Sequence, residues 1–354
     1  MTGAAASRVR VLVVDDSAAI RSLLQRALAR DAALEVVGTA PDAPTARQRI
    51  AALAPDVVTL DLEMPHGDGL TFLRALMVER PTPVVVVSST TPGGGARAME
   101  ALAAGAVDVL CKPSAAGEVG PMLQRLIATV KAAARVRAAP AAPRPRAGTL
   151  PQAPRLAAAP SHAVIAIGAS TGGTVAIERI LATLPADHPG IVVTQHLPEA
   201  FTPFFARHLR DSTQLDVREA RAGDVVETGV VLVAPGDRHL VLRRSGAAVT
   251  ADLDGGPKVN HHRPSVDVMF RSAARAAGAR TIGVLLTGMG SDGAEGLREL
   301  RGAGARTIAQ DEESSVVYGM PRAAVELGAA AAVLPLGGIA GEILRAASRI
   351  GCTN

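Results

Sequence analysis

Short apolar runs recur along the chain, each followed by a longer amphipathic stretch, and this rhythm restricts the fold more than any other feature. A strand covered on both faces needs a nearly unbroken apolar run, and successive parallel strands need a long crossover between them. VRVLVV (9–14), LEVVG (34–38), DVVTL (56–60), PVVVVS (83–88) and AVDVLC (106–111) read as such strands. Helix-like segments lie between them, including 17–30, opened by a capping Ser17, and 44–54. The rhythm returns in AVIAIGAS (163–170), IVVTQH (191–196), TIGVLLTG (281–288) and ARTIAQ (305–310). Between these, VVLVAPGDRHLVLR (230–243) reads as a hairpin around Pro235-Gly236-Asp237. The expected fold class is α/β: a five-stranded parallel sheet in the first part, and a mixed, mostly parallel, doubly wound sheet in the second.

The two parts are separated by residues 131–160, a stretch of almost only Ala, Pro and Arg. Its prolines break any helical pattern, so it is expected to be a semi-extended linker, with helix persisting through its first few residues. The expected domains are therefore 1–130 and 161–354. The linker also explains the charge. The whole chain has 37 basic and 33 acidic residues, net +4, which by itself invites a nucleic-acid partner. Lys131, Arg135, Arg137, Arg144, Arg146 and Arg155 give the linker +6, while residues 1–130 and 161–354 each sum to −1. A transcription factor would need a basic recognition helix after the linker, and none is present. Aromatic residues make up only 2% of the chain, too few for a base-stacking platform. Two cysteines, Cys111 and Cys352, make neither a disulfide framework nor a zinc cluster; Cys111 is expected to be buried at a strand end and Cys352 to lie in a terminal tail. No signal peptide or membrane-spanning run is found, so a cytoplasmic protein is expected, with no membrane insertion and no nucleic acid.

In doubly wound sheets ligands bind beyond the carboxyl ends of the strands. In the first domain those ends carry Asp15 and Asp16, Asp61, Ser88 and Lys112. Converging carboxylates suit a hard divalent cation, and a nearby Lys and hydroxyl suit a phosphoryl group. Asp15 and Asp16 would equally serve as helix caps, and Asp61 as the start of a turn. The Asp15-Asp16 pair, TLDLEMPHGDGL around Asp61, PVVVVSS and CKP with Lys112 resemble the response-regulator receiver family over residues 9–130. The resemblance implies a flavodoxin-like domain in which Asp61 accepts a phosphoryl group from a histidine kinase. It also implies that Asp16, Asp61 and the backbone carbonyl of Glu63 hold Mg²⁺ with help from Asp15, and that Ser88 and Lys112 bind the phosphoryl oxygens. The family usually has an aromatic residue three positions before the lysine; here it is Val109.

The second domain carries two glycine-rich turns after strands. Gly168-Ala169-Ser170-Thr171-Gly172-Gly173 matches G-x-S-x-G, a pattern that exposes a serine on a tight strand-to-helix turn. Such a serine needs an imidazole base held by a carboxylate. His196 ends a strand at the same sheet edge; His208 falls on a helix surface, His188 in a Pro-flanked loop, and His261 and His262 are consecutive, pointing apart. Ser170 as a simple helix cap is the alternative. Gly288-Met289-Gly290-Ser291-Asp292-Gly293 fits G-x-G-x-x-G, with Asp311 further on, as in a dinucleotide-binding fingerprint. Asp292 would, however, place a negative charge where a pyrophosphate should sit, and it is better suited to orienting an imidazole.

IGASTGG, VTQHLP, VAPGDRHL, NHHRPSVDVMF, LLTGMGSDGAEGL and TIAQDEESSVVYGMPRAA closely resemble the chemotaxis protein-glutamate methylesterase domain, from about 163 to 336. Receiver, linker and this domain, in that order, is the architecture of the CheB family. The resemblance implies a Ser170–His196–Asp292 triad with the backbone N–H of Met289 in the oxyanion hole. It further implies a monomeric serine hydrolase, needing no cofactor for the esterase step, that removes methyl groups from chemoreceptor glutamates and deamidates receptor glutamines. Its receiver would inhibit until Asp61 is phosphorylated.

Overall fold

The computed structural model describes residues 8–64, 67–89, 92–113, 116–136, 163–213 and 215–351. The chain divides into two compact units, Met1–Arg144 and Pro145–Asn354. Most of the segment 131–160, and Cys352, lie outside the described residues.

In the first unit β1 (Val9–Val14), β2 (Leu34–Ala40), β3 (Val57–Leu60), β4 (Val84–Ser88) and β5 (Asp108–Cys111) form one parallel sheet in the order β2-β1-β3-β4-β5. Helices α1 (Ala18–Leu28), α2 (Ala43–Leu53), α3 (Gly69–Glu79), α4 (Pro92–Ala103) and α5 (Ala116–Ala133) supply the crossovers. The first three begin at side-chain caps: Ser17 accepts the Ile20 N–H, Asp42 that of Thr45 and Asp68 that of Leu70. Every residue of β3 and β4 is buried, as strands covered on both faces require. This order is flavodoxin-like, with its switch point between β1 and β3. Cys111 closes β5 but is only partly buried, less than the sequence led one to expect.

In the second unit β6 (Val164–Ala169), β7 (Gly190–Gln195), β8 (Asp216–Glu219) and β9 (Val230–Val233) build one half of a seven-stranded sheet. The chain then leaves the sheet for β10 (His239–Ser245), β11 (Ala248–Asp254) and α8 (Val266–Ala276). It returns on the other side of β6 with β12 (Thr281–Leu285), β13 (Arg306–Gln310) and β14 (Ala332–Leu334). The order is β8-β9-β7-β6-β12-β13-β14, so the switch point falls between β6 and β12. Helices α6 (Gly173–Leu181), α7 (Thr202–Thr213), α9 (Ala294–Gly302), α10 (Met320–Glu326) and α11 (Leu336–Gly351) complete the unit. Among the described residues no helix is long and apolar enough to cross a membrane.

Two sequence expectations are corrected. The seven-stranded sheet is parallel at every pairing rather than mixed. Residues 230–243 are not a hairpin: β9 is buried along its whole length and pairs with β8 and β7, while β10 pairs with β11 through the turn at Gly246. At Pro235-Gly236-Asp237 the backbone passes so close to Glu199 that a Cβ on Gly236 would lie 2.3 Å from its Cα. The chain is therefore leaving the sheet there, not folding back along it.

Candidate active site and phosphoryl-acceptor site

At the β1/β3 edge of the first unit, carboxylate oxygens of Asp15, Asp16 and Asp61 lie within 4.8 Å of one another. Asp15 and Asp61 are buried, and Lys112 Nζ reaches both, 2.9 Å from Asp15 and 2.6 Å from Asp61. Burial pushes the Asp61 pKa up, against the pull of Lys112 and of the Glu63 N–H. Burial alone would depress Lys112, but its bonds to Asp61 and Asp15 outweigh that and hold its pKa above the ordinary value. Ser88 Oγ, at the end of β4, is buried with no hydrogen-bond partner among the described residues. An all-oxygen donor set beside an unsatisfied hydroxyl and an ammonium fits a divalent cation and a transferred anion. Three positions before the lysine, Val109 is fully buried within β5.

At the β6/β12 edge of the second unit, the Ser170 N–H donates to the Thr287 carbonyl at 3.0 Å, and its carbonyl accepts from Gly173 N and Gln195 Nε2, both at 2.8 Å. The chain turns into α6 through Gly172, whose φ of 76° favours glycine. Ala169 pairs with Gln195, and the His196 N–H donates to the Ala169 carbonyl, so Ser170 and His196 end adjacent strands side by side. His196 Nε2 lies 2.8 Å from Asp292 Oδ2.

Asp292, only 1% exposed, collects four further donors: Asn260 Nδ2 at 2.9 Å, Ser265 Oγ at 2.7 Å, and the N–H groups of Val266 at 2.7 Å and Asp267 at 3.3 Å. Two of these amides open α8, so the carboxylate faces a helix N-terminus. Burial opposes its charge, but the bonds from His196, Asn260 and Ser265 prevail and hold the Asp292 pKa well below the carboxylate range.

The two glycine-rich turns form one site. A Cβ on Gly288 would lie 2.8 Å from Ser170 Cβ and 2.3 Å from Met320 Sδ, so the second turn lies directly against the serine. The Gly288 carbonyl accepts the N–H groups of Gly319 and Met320, and this fixes the following peptide with the Met289 N–H on its opposite side. Among the described residues that N–H has no partner. With Asp292 bonded to His196 in its middle, this turn is committed to the imidazole rather than to a pyrophosphate.

Residues 165–343 match the family model for CheB methylesterase, and residues 11–124 that for the response regulator receiver domain. The chain is 63% identical over 347 residues to protein-glutamate methylesterase/protein-glutamine glutaminase 4 of Anaeromyxobacter dehalogenans, covering 97% of this chain and 96% of that one. The chain belongs to the CheB methylesterase family. A second relative, protein-glutamate methylesterase/protein-glutamine glutaminase 2 of Pseudomonas aeruginosa, is 51% identical over 98% of this chain and 99% of its own. The crystal structure of the Thermotoga maritima CheB methylesterase catalytic domain is 40% identical, with a TM-score of 0.51, and covers 52% of this chain and 97% of that one.

Around the CheB methylesterase site lie residues that sequence reasoning passed over. His262, set aside in the sequence because it and His261 are consecutive and point apart from each other, stacks on His196 with ring centroids 3.7 Å apart and planes within 8°. Asn260 bridges Asp292 and Asp267. Of the other histidines, His208 bonds Glu178 on the surface of α7, and His188 is wholly buried. The signal for Asn260 lay in NHH itself, since Asn tolerates positive φ better than most residues.

Proposed function

We propose that the protein is a cytoplasmic, monomeric serine hydrolase that demethylates glutamate methyl esters on chemoreceptors and deamidates receptor glutamines, under control of a histidine kinase. The observation that carries this reading is the His196–Asp292 pair, anchored by further donors and set beside Ser170 on its strand-to-helix turn. In neutral His196 the Nε2–H donates to Asp292, which leaves Nδ1 to serve the serine. That is the reverse of the ring orientation in chymotrypsin-type triads.

Ser170 Oγ attacks the γ-carbonyl of the methyl ester as His196 takes its proton. The Met289 N–H stabilises the oxyanion, a contribution on the order of 3 kcal/mol in such sites. As the tetrahedral intermediate collapses, the C–OCH₃ bond breaks and the proton passes from His196 to methanol. Water then attacks the glutamyl-Ser170 ester, with His196 again taking a proton and returning it to Ser170 Oγ, and glutamate leaves. With a glutamine substrate the same steps release ammonia. Asp292 keeps the imidazole in one tautomer and stabilises the imidazolium.

In the receiver, Asp61 is the phosphoryl acceptor and Ser88 and Lys112 bind the phosphoryl oxygens. Asp16, Asp61 and the Glu63 carbonyl, assisted by Asp15, would hold Mg²⁺, which would neutralise charge on the incoming phosphoryl group. The assay is methanol release from methylated receptor membranes by the full chain. Ser170→Ala is expected to abolish it, and release at the unsubstituted rate would overturn the assignment.

A further inference from the structure

One turn of the catalytic unit touches both members of the His–Asp pair without taking part in any step above. The Val259 N–H donates to the His262 carbonyl at 3.0 Å and the His262 N–H to the Val259 carbonyl at 2.9 Å. This closes a two-residue turn whose central residues, Asn260 and His261, have φ of 51° and 68°. Positive φ at both positions is the type I′ arrangement, which most side chains avoid but Asn and His tolerate better than most. The turn delivers Asn260 Nδ2 to Asp292 Oδ1 at 2.9 Å and to Asp267 Oδ2 at 2.8 Å. One residue beyond the turn centre, it lays the His262 ring flat on His196, centroids 3.7 Å apart and planes within 8°.

The two contacts do different things. The Nε2 bond to Asp292 fixes one corner of the His196 ring but leaves it free to tilt about that bond. A parallel ring on its face removes the tilt, and proton transfer depends steeply on such alignment. Asn260 acts on the other partner. Asp267 is a second buried carboxylate, with Oδ1 accepting the Gly296 N–H at 2.7 Å. A single amide donating to Asp267 and Asp292 together sets their spacing. We propose that the Asn260–His262 turn is a positioning element for the catalytic base, with Asn260 holding the Asp292 carboxylate and His262 holding the plane of His196. This rests on the Ser170–His196–Asp292 reading above.

The test is steady-state methanol release by full-length His262→Ala, His262→Gln, His262→Phe, Asn260→Gly and Ser170→Ala, each checked by its melting temperature to be folded in the assay. Phe keeps a planar face without an ionisable nitrogen, and Gly keeps the positive φ without the donor. His262→Ala and His262→Gln are each expected to lower kcat by about tenfold or more, with KM within about twofold, and His262→Phe to recover most of the loss. Asn260→Gly is expected to lower kcat by a similar factor. If His262→Ala does not fold, His262→Gln against His262→Phe makes the same comparison. Unchanged kcat in the ring-less variants, or Phe no better than Gln, overturns the role of His262; unchanged kcat in Asn260→Gly overturns that of Asn260. Activity in Ser170→Ala would instead overturn the underlying triad, which separates the two failures.

Discussion

A buried carboxylate with several donors is committed to its charge, and Asp292 is the clearest case in the protein. Asp292→Asn removes that charge and sets an NH₂ group against groups that themselves donate. A loss of about 10³–10⁴-fold in kcat is expected, as in other triads whose carboxylate becomes an amide, measured by methanol release. His188 poses the opposite case. Burial holds its pKa below the ordinary histidine value, although its Nδ1–H donates to the Pro189 carbonyl at 2.6 Å, and its buried Nε2 has no partner among the described residues. The folded protein therefore binds fewer protons here than the unfolded chain. The stability tied to neutral His188 is complete above about pH 6.5 and is lost as pH falls from there through its lower folded pKa. Unfolding of the full chain and of His188→Gln, compared at neutral pH and about one unit below the ordinary histidine pKa, should show the gap between them narrowing in acid. A constant gap would refute this. That Ser170 and His196 end neighbouring strands was legible from the apolar runs before them; that Asp292 joins them came from the family resemblance, since it stands seven residues beyond the end of β12. The partners of Asn260 and His262 were not legible, because NHH signals only tolerance of a positive-φ turn, and the reach of a side chain across that turn leaves no periodic trace.

Among the elements, the glycine-rich turns do the placing, and their two sequence patterns suggested separate chemistries because neither shows which strand lies next to it. The β6–β12 pairing brings them together: Leu285 sits opposite Gly168, and the chains run on to Gly288 and Ser170. Gly288→Ala must therefore push on Ser170 Cβ or Met320 Sδ. Overpacking of this kind costs about 1–3 kcal/mol, and a displaced serine is expected to lose about 100-fold in kcat. At Gly290, by contrast, a Cβ would meet open space, and only its φ of 85° resists substitution. Gly290→Ala should then lose stability with much less effect on kcat, and the pair of variants, assayed together, separates crowding of Ser170 from backbone strain. The misread segment 230–243 has a related cause. Two apolar runs joined by Pro-Gly-Asp look like a hairpin, but four consecutive buried residues in β9 mark a strand covered on both faces, and only the fold shows what covers it.

For the molecule as a whole, the excess positive charge belongs to residues 131–160. Residues 131–160 carry +6, whereas the sequences on either side are each close to neutral, so the +4 of the chain does not describe the surface around Ser170 or around Asp61. In the proposed function, what joins the two activities is phosphoryl transfer to Asp61. There Lys112 bonds two of three converging carboxylates while Ser88 Oγ has no partner among the described residues, so the carboxylates outnumber the one ammonium that balances them. A cation supplies the missing positive charge and a phosphoryl group supplies the missing oxygens, so acyl-phosphate formation should depend on both. A small-molecule phosphoryl donor with Mg²⁺ is expected to raise methanol release by the full chain. Chelating the metal, or substituting Asp61→Asn, should each bring the ratio of activity with and without donor to about one. Lys112→Ala should also abolish that ratio, since without its ammonium two buried carboxylates face each other unbalanced. Val109 offers no ring to swing inward, so a Val109→Tyr variant is expected to leave the ratio unchanged if the response does not depend on such a ring. A ratio that rises several-fold in Val109→Tyr would show instead that the missing ring limits activation.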